Sequence, residues 1–220
     1  MKLNKHIFLS YFMDGNTPLY GGNKGIIVQE DRSIYNGDTA NTKKISFPNH
    51  SGTHIDFPNH FFISGKTSEK YQADFWFFSN PYLIQIIAEN DELINISDEL
   101  FNTIPSNTDF LILKTGFGVY RNLERYWNNN PGISLDFAIK LKQKAPKLKI
   151  IGMDLISVTS FQNRAIGREV HKILLGGDNP ILLVEDMNLQ LINSSPKSLT
   201  CLPILINGLD GSPITIVAHY

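Results

Sequence analysis

Apolar and polar positions follow two rhythms along this chain. Short runs rich in branched and aromatic residues, at 7–11, 25–28, 82–88, 110–113 and 149–153, are bounded by turn-forming residues, which is the pattern of strands. A helical rhythm replaces it at 97–103, 134–144 and 166–175. The second of these follows Pro131-Gly132 and opens at Ser134, a capping residue, before Leu135, Ala138, Ile139 and Leu141 at helical spacing. Near the carboxyl end, 199–206 and 213–218 read as two strands joined through Asn207-Gly208 and Asp210-Gly211 as a hairpin-like connection. Extended structure dominates the first half, and the class expected is mixed α/β. No repeat, low-complexity tract or linker interrupts the pattern, so residues 1–220 are expected to form a single domain.

A length of 220 residues is sufficient for one substantial core. Twenty Lys plus Arg against twenty-one Asp plus Glu give a net charge of -1, which provides no global field for nucleic acid or an anionic membrane. Neither partner is expected. Lys140, Lys142, Lys144, Lys147 and Lys149 form a local basic run that reads as the wet face and carboxyl end of a helix. The single cysteine, Cys201, excludes an intrachain disulfide and a multi-cysteine zinc site, and its apolar surroundings read as core. At the amino end, Lys2 and Lys5 precede an apolar stretch that Asp14, Gly15 and Asn16 break, unlike the apolar segment of a signal peptide. No run approaches the ~20 apolar residues that span a bilayer, so a soluble cytoplasmic protein is expected.

Composition says less than one short segment does. Three of the six histidines, His50, His54 and His60, fall within eleven residues. Gly52 and Pro58 disfavour a helix there, so an extended chain is expected. In such a chain positions 50, 54, 56 and 60 share one parity and project together, while Ile55 and Phe57 face the other way. Three imidazoles and the Asp56 carboxylate would then converge, a donor set suited to zinc or a similar divalent ion. The bland alternative is a group of ordinary surface or core histidines.

The whole string, His50-Ser51-Gly52-Thr53-His54-Ile55-Asp56-Phe57-Pro58-Asn59-His60, resembles the signature of the cyclase family of metal hydrolases, which includes bacterial kynurenine formamidases and isatin hydrolases. The resemblance continues through Leu9-Ser10 with Asn16-Thr17-Pro18-Leu19-Tyr20, Leu113-Lys114-Thr115-Gly116, Asn130-Pro131-Gly132 and Gly152-Met153-Asp154 with Ser157. It ends with Leu202-Pro203 and Asp210-Gly211-Ser212-Pro213. It implies a swivelling β/β/α fold and one or two divalent ions, zinc or manganese. By the same resemblance His50, His54 and Asp56 are metal ligands, with His171 and Glu185 completing the set. Asp186, the next residue, is a rival to Glu185, and for His171 the alternative is a helix-surface position. His60 matches the family's proton shuttle, and imidazole both takes and gives protons near neutral pH.

Tyr20 stands where kynurenine formamidases carry a substrate-touching tryptophan in a Trp-Pro-Gly-Asp string; here the string is Tyr20-Gly21-Gly22-Asn23. An aromatic wall is retained by the substitution, but N-formylkynurenine itself is not implied. Phe75-Trp76-Phe77-Phe78 reads as core, with a pocket lining as the alternative. Thr115-Gly116-Phe117-Gly118 lacks the lysine of a phosphate loop. The function expected is hydrolysis of the C–N bond of a small aromatic amide, formamide or lactam, in a homodimer or homotetramer. The alternatives are a metal-containing binding protein without turnover and a ring-forming or dehydrating cyclase.

Overall fold

In the computed structural model, which describes residues 5–220, the strand rhythm becomes β1 (His6–Phe8), β2 (Ile27–Arg32), β3 (Thr42–Ser46), β4 (His54–Asp56), β5 (Phe77–Phe78), β6 (Pro81–Gln85), β7 (Leu93–Ile94), β8 (Phe110–Lys114), β9 (Gly132–Ile133), β10 (Ile150–Met153), β11 (Leu182–Glu185), β12 (Ser198–Pro203) and β13 (Gly211–His219). The helical rhythm becomes α1 (Asp98–Phe101), α2 (Arg125–Asn128), α3 (Leu135–Lys144) and α4 (Arg164–Leu175). The amino-terminal segment containing Lys2 lies partly outside the described residues.

Nine strands form one sheet in the order β5-β12-β13-β4-β11-β10-β8-β6, with β1 added on β13. Strands β6, β8, β10 and β11 are parallel neighbours. Parallel strands are covered on both faces, which explains why their sequences are apolar without alternation. Phe110, Leu111, Ile112 and Leu113 of β8 are all fully buried, as are Ile150 and Ile151 of β10. The short β4 lies antiparallel to β11 on one edge and to the start of β13 on the other. β13 continues past β4 to pair with β12 along its length and with β1 at its end.

Helices α3 and α4 pack side by side. The Ser134 hydroxyl accepts a hydrogen bond from the Phe137 N–H, the cap expected from the sequence, and α3 buries Phe137, Ala138 and Leu141. Ile139 is an exception: it is 40% exposed, because a step of about 100° per residue carries it off the face centred on Ala138 and Leu141. α4 buries Val170, His171, Leu174 and Leu175, and begins at Arg164, two residues before the apolar pattern does. The 97–103 segment keeps only one helical turn, capped by the Ser97 hydroxyl.

Several local readings change. The 25–28 run shifts into β2, which forms a hairpin with β3. Every residue of both strands is exposed, so neither carries the apolar face that would reveal it. Trp76 and Phe78 are buried and Phe75 half-buried, whereas Phe77 points outward at 55% exposure; the group packs with Phe57 and Tyr71 as core. Cys201 is buried, as expected. Of the basic run, Lys144, Lys147 and Lys149 are exposed, but Lys140 and Lys142 are half-buried. Lys142 Nζ donates to the carbonyls of Gly176 and Asn179, tying down the α4–β11 connection, and Lys140 pairs with Asp98. Among the described residues no helix is long and apolar enough to cross a membrane.

Candidate metal centre

Strand alternation in β4 places His54 and Asp56 on one side and Ile55 on the other, where Ile55 is fully buried. The all-extended reading of residues 50–60 holds only for these three. Gly52, in the left-handed region at φ 59°, turns the chain between His50 and His54, and Pro58 opens a single 3₁₀ turn that ends at His60. The turns still bring the rings together: the His50 centroid lies 5.2 Å from that of His54 and 4.1 Å from that of His60.

Glu185 and His171 reach the same cleft from other elements. Glu185 lies opposite His54 in the β11–β4 register, its Oε2 3.4 Å from His54 Nε2. Its Oε1 accepts from Ser157 Oγ at 3.0 Å and from the Val158 N–H at 2.7 Å. α4 brings His171 Nε2 to 3.5 Å from Asp56 Oδ2 and 3.8 Å from Glu185 Oε1. Asp186 faces away. Arg121 grips its carboxylate through Nε and Nη2, and Tyr126 Oη donates to it at 2.7 Å. Of the two acids open in the sequence, Glu185 is the one in the cleft.

The donor set fits a divalent ion. His54 Nδ1 donates to the Gly52 carbonyl and His171 Nδ1 to the Gly167 carbonyl, both at 2.8 Å, which leaves each Nε2 directed at the carboxylates. Metal-ligating histidines are fixed by their other ring nitrogen in this way. His54, Asp56 and Glu185 offer ligand atoms within 4.8 Å of one another, and so do His50, Asp56 and His60. Asp56 belongs to both sets. Burial would raise its pKa, but hydrogen bonds from His171 and His50 hold it well below the usual carboxylate range. Burial alone would likewise lower His50, and the adjoining carboxylates of Asp56 and Asp210 instead raise it to about 9.

Asp210 was not among the expected site residues. Its Oδ2 accepts from His50 Nε2 at 3.0 Å and His60 Nδ1 at 2.8 Å, while Asn49 Nδ2 donates to its Oδ1 at 2.6 Å. Against a burial effect that opposes ionisation, these donors hold its pKa at about 2. The sequence places Asp210 in a turn about 150 residues from its partners, and its one signal is its position in the Asp210-Gly211-Ser212-Pro213 string. The next residue must be small, because a Cβ on Gly211 would run into the His50 ring.

His50, His54, Asp56, His60, His171 and Glu185 line a cavity of about 460 Å³, which Tyr20, Phe61, Ile156, Arg164 and Arg168 also line. Phe61 stacks on His171 with centroids 4.5 Å apart, and Tyr20 leans on Phe161 at 5.5 Å. Phe61, which the motif does not include, is thus a wall of the cleft.

The Cyclase family model matches residues 7–160, which includes the entire 50–60 string. The chain belongs to the cyclase family. Among cyclase-family relatives, an uncharacterized protein of Methanocaldococcus jannaschii is 30% identical over 178 residues, covering 80% of this chain and 81% of its own. A kynurenine formamidase of Bacillus mycoides is 26% identical over 217 residues, covering 99% of this chain and 98% of its own. Isatin hydrolase A of Labrenzia aggregata superposes with a TM-score of 0.82 at 20% identity, covering 97% of this chain and 92% of its own. That likeness shows the cyclase-family fold expected from the sequence. His171 and Glu185 lie beyond the matched segment and join the cyclase motif through α4 and β11.

Proposed function

We propose that this protein is a metal-dependent hydrolase that cleaves the C–N bond of a small amide, formamide or lactam with an aromatic part. The observation that carries this reading is the convergence of His50, His54, His171 and Glu185 around Asp56 at the floor of an aromatic-walled cavity. His50, His54, Asp56, His171 and Glu185 would hold one or two ions, zinc or manganese. When bound, a divalent ion in such a site acidifies water and polarises a carbonyl. A kynurenine formamidase and an isatin hydrolase among the relatives support amide or lactam chemistry.

The remaining steps belong to side chains. The ionised Asp210 carboxylate only accepts, so His60 Nδ1 carries the hydrogen between them and Nε2 is left free to exchange a proton. His60 would take a proton on the way to the tetrahedral stage and deliver it to the departing nitrogen, which leaves as a neutral amine. Asp210 positions the ring for this. Tyr20 and Phe61 offer flat surfaces to an aromatic substrate and keep water from that side of the cleft. Residues 1–220 would act as one unit, in keeping with β1 and β13 pairing in the sheet that carries the site.

A panel of formanilides, isatin-like lactams and esters tests the reading, assayed on protein stripped by chelator and reloaded with zinc or manganese. Hydrolysis lost on stripping and regained on reloading is expected. Tight binding without product across the panel would replace the hydrolase with a metal-containing binding protein.

A further inference from the structure

Two arginines, both exposed to solvent, stand at the rim of the cleft with no carboxylate to meet them. Arg164 and Arg168 both line the cavity, and among the described residues neither forms an ion pair. They occupy α4 at positions four and three residues apart from Arg168 and His171 respectively, so one helical face carries both arginines and the imidazole at the floor.

The arginines lie at an unfavourable end of the helix. The amino-terminal turns of a helix favour negative charge, yet the first turn of α4 has no acidic residue and two cations follow from its start. An anion arriving from outside would relieve this. Arg164 is also held in place: its Nε donates to the Phe161 carbonyl, and its Cζ lies 3.9 Å from the Phe161 ring centroid. Its terminal nitrogens meet no carboxylate among the described residues. Beside them Tyr20 Oη is buried with no partner in hydrogen-bond geometry, although the Arg164 side chain approaches it closely enough to offset part of the rise that burial gives its pKa. A hydroxyl in that position lacks a group to bond, and a substrate would supply one.

The cleft is therefore divided by charge. Its floor gathers Asp56 and Glu185 among imidazoles, and its rim gathers the two arginines and the Tyr20 hydroxyl. We infer that Arg164 and Arg168, together with Tyr20, bind a carboxylate carried by the substrate away from the scissile amide. The guanidinium fork matches the two oxygens of a carboxylate, and the aromatic surfaces of Tyr20 and Phe61 accommodate the body of the molecule between the two ends. This selectivity rests on the reading of the cleft as a hydrolase site, and its test separates the two.

Formanilide and 3-formamidobenzoate differ by one carboxylate. On metal-loaded protein, kcat/KM is expected to favour the carboxylated compound by about tenfold or more, mainly through KM. In R164Q/R168Q the ratio should collapse toward one. In R164K/R168K, which keeps charge but loses the fork, part of it should return. Circular dichroism and melting temperature verify that each variant is folded. Calorimetric titration of the same two compounds reads the preference even when neither is cleaved. Tighter binding of the carboxylate without hydrolysis would overturn the hydrolase reading and uphold this one. Equal binding or turnover of the pair, no measurable interaction with 3-formamidobenzoate, or a preference that survives in R164Q/R168Q would overturn the anion site.

Discussion

Glu185 Oε2 lies 3.4 Å from His54 Nε2, across a register that sets the two residues directly opposite each other on antiparallel strands. Opposed residues project to the same face, so pairing β11 with β4 is enough to bring a carboxylate to the imidazole. A slip of one residue would put an apolar valine or the arginine-bound Asp186 there instead. The floor of the cleft is thus set by sheet pairing, and α4 and the loops add to it.

Asp56 is the donor common to both sets, so its removal should cost more metal than loss of any single neighbour. Asp56→Ala is expected to purify with little or no zinc or manganese. His171→Ala should keep the fold and lower stoichiometry or affinity. Elemental analysis on matched preparations is the measurement; full metal content in Asp56→Ala would remove that residue from the centre.

His60 and Asp210 separate proton transfer from coordination. His60→Ala should retain most of its metal and lose ~10² to 10⁴ in turnover, the range for a general acid or base. An activated ester, whose leaving group needs less protonation, should suffer less than an amide of similar shape. Asp210→Asn should show a smaller defect of the same kind, because the His60 ring loses the carboxylate that orients it. Metal loss in His60→Ala would make it a ligand.

Asp186 is expected to matter for stability and not for coordination. Asp186→Ala leaves the Arg121 guanidinium, 12% exposed in its side chain, without its partner and leaves the Tyr126 hydroxyl only its longer bond to the Asp154 carbonyl at 3.4 Å. Breaking such a pair costs about 3 kcal/mol or more, which for a chain of this size lowers Tm by about 6–12 °C. Thermal melting monitored by circular dichroism, alongside metal content, distinguishes this from Glu185→Gln, which should lose metal with little change in the stripped protein's Tm.

The carboxylates around His50 give metal loading a pH dependence. With its pKa raised to about 9, His50 in chelator-stripped protein holds its proton at neutral pH, and coordination requires the neutral ring. Loading should therefore release protons, since His54 and His171 are raised as well, and affinity should climb as pH rises toward about 9. In the stripped protein the same shift has the opposite sign for folding: the contribution is complete below the ordinary histidine pKa of about 6.5 and is lost as pH rises through about 9. Calorimetry in buffers of different ionisation enthalpy counts the protons; none released would show that His50 is not displaced.

How far the sequence can be read follows from the kind of contact involved. The apolar runs of β8 and β10 and the capped start of α3 depend on local pattern, and their positions agree with it to within a residue or two. The β2–β3 hairpin has no buried face and therefore no apolar alternation to reveal it. The proximity of His54 and Asp56 follows from strand parity, but that of His50 and His60 depends on Gly52 and Pro58 bending the chain, which parity does not describe. The choice between Glu185 and Asp186 was open because adjacent residues differ only in which side they face, and register decides that. Asp210 was hidden for a related reason: its partners are remote in sequence, and an Asp before Gly is ordinary turn chemistry.

β4 has a neighbour on both edges, so its amides exchange with solvent only when the sheet itself opens. His54, Asp56 and Glu185 accordingly keep their mutual spacing through the small local openings that a folded chain undergoes. His171 and His50 are brought in from a helix and a loop outside that sheet. An ion held here would meet two kinds of donor, those fixed by strand pairing and those supplied from outside the sheet, and the second kind would set how soon it departs.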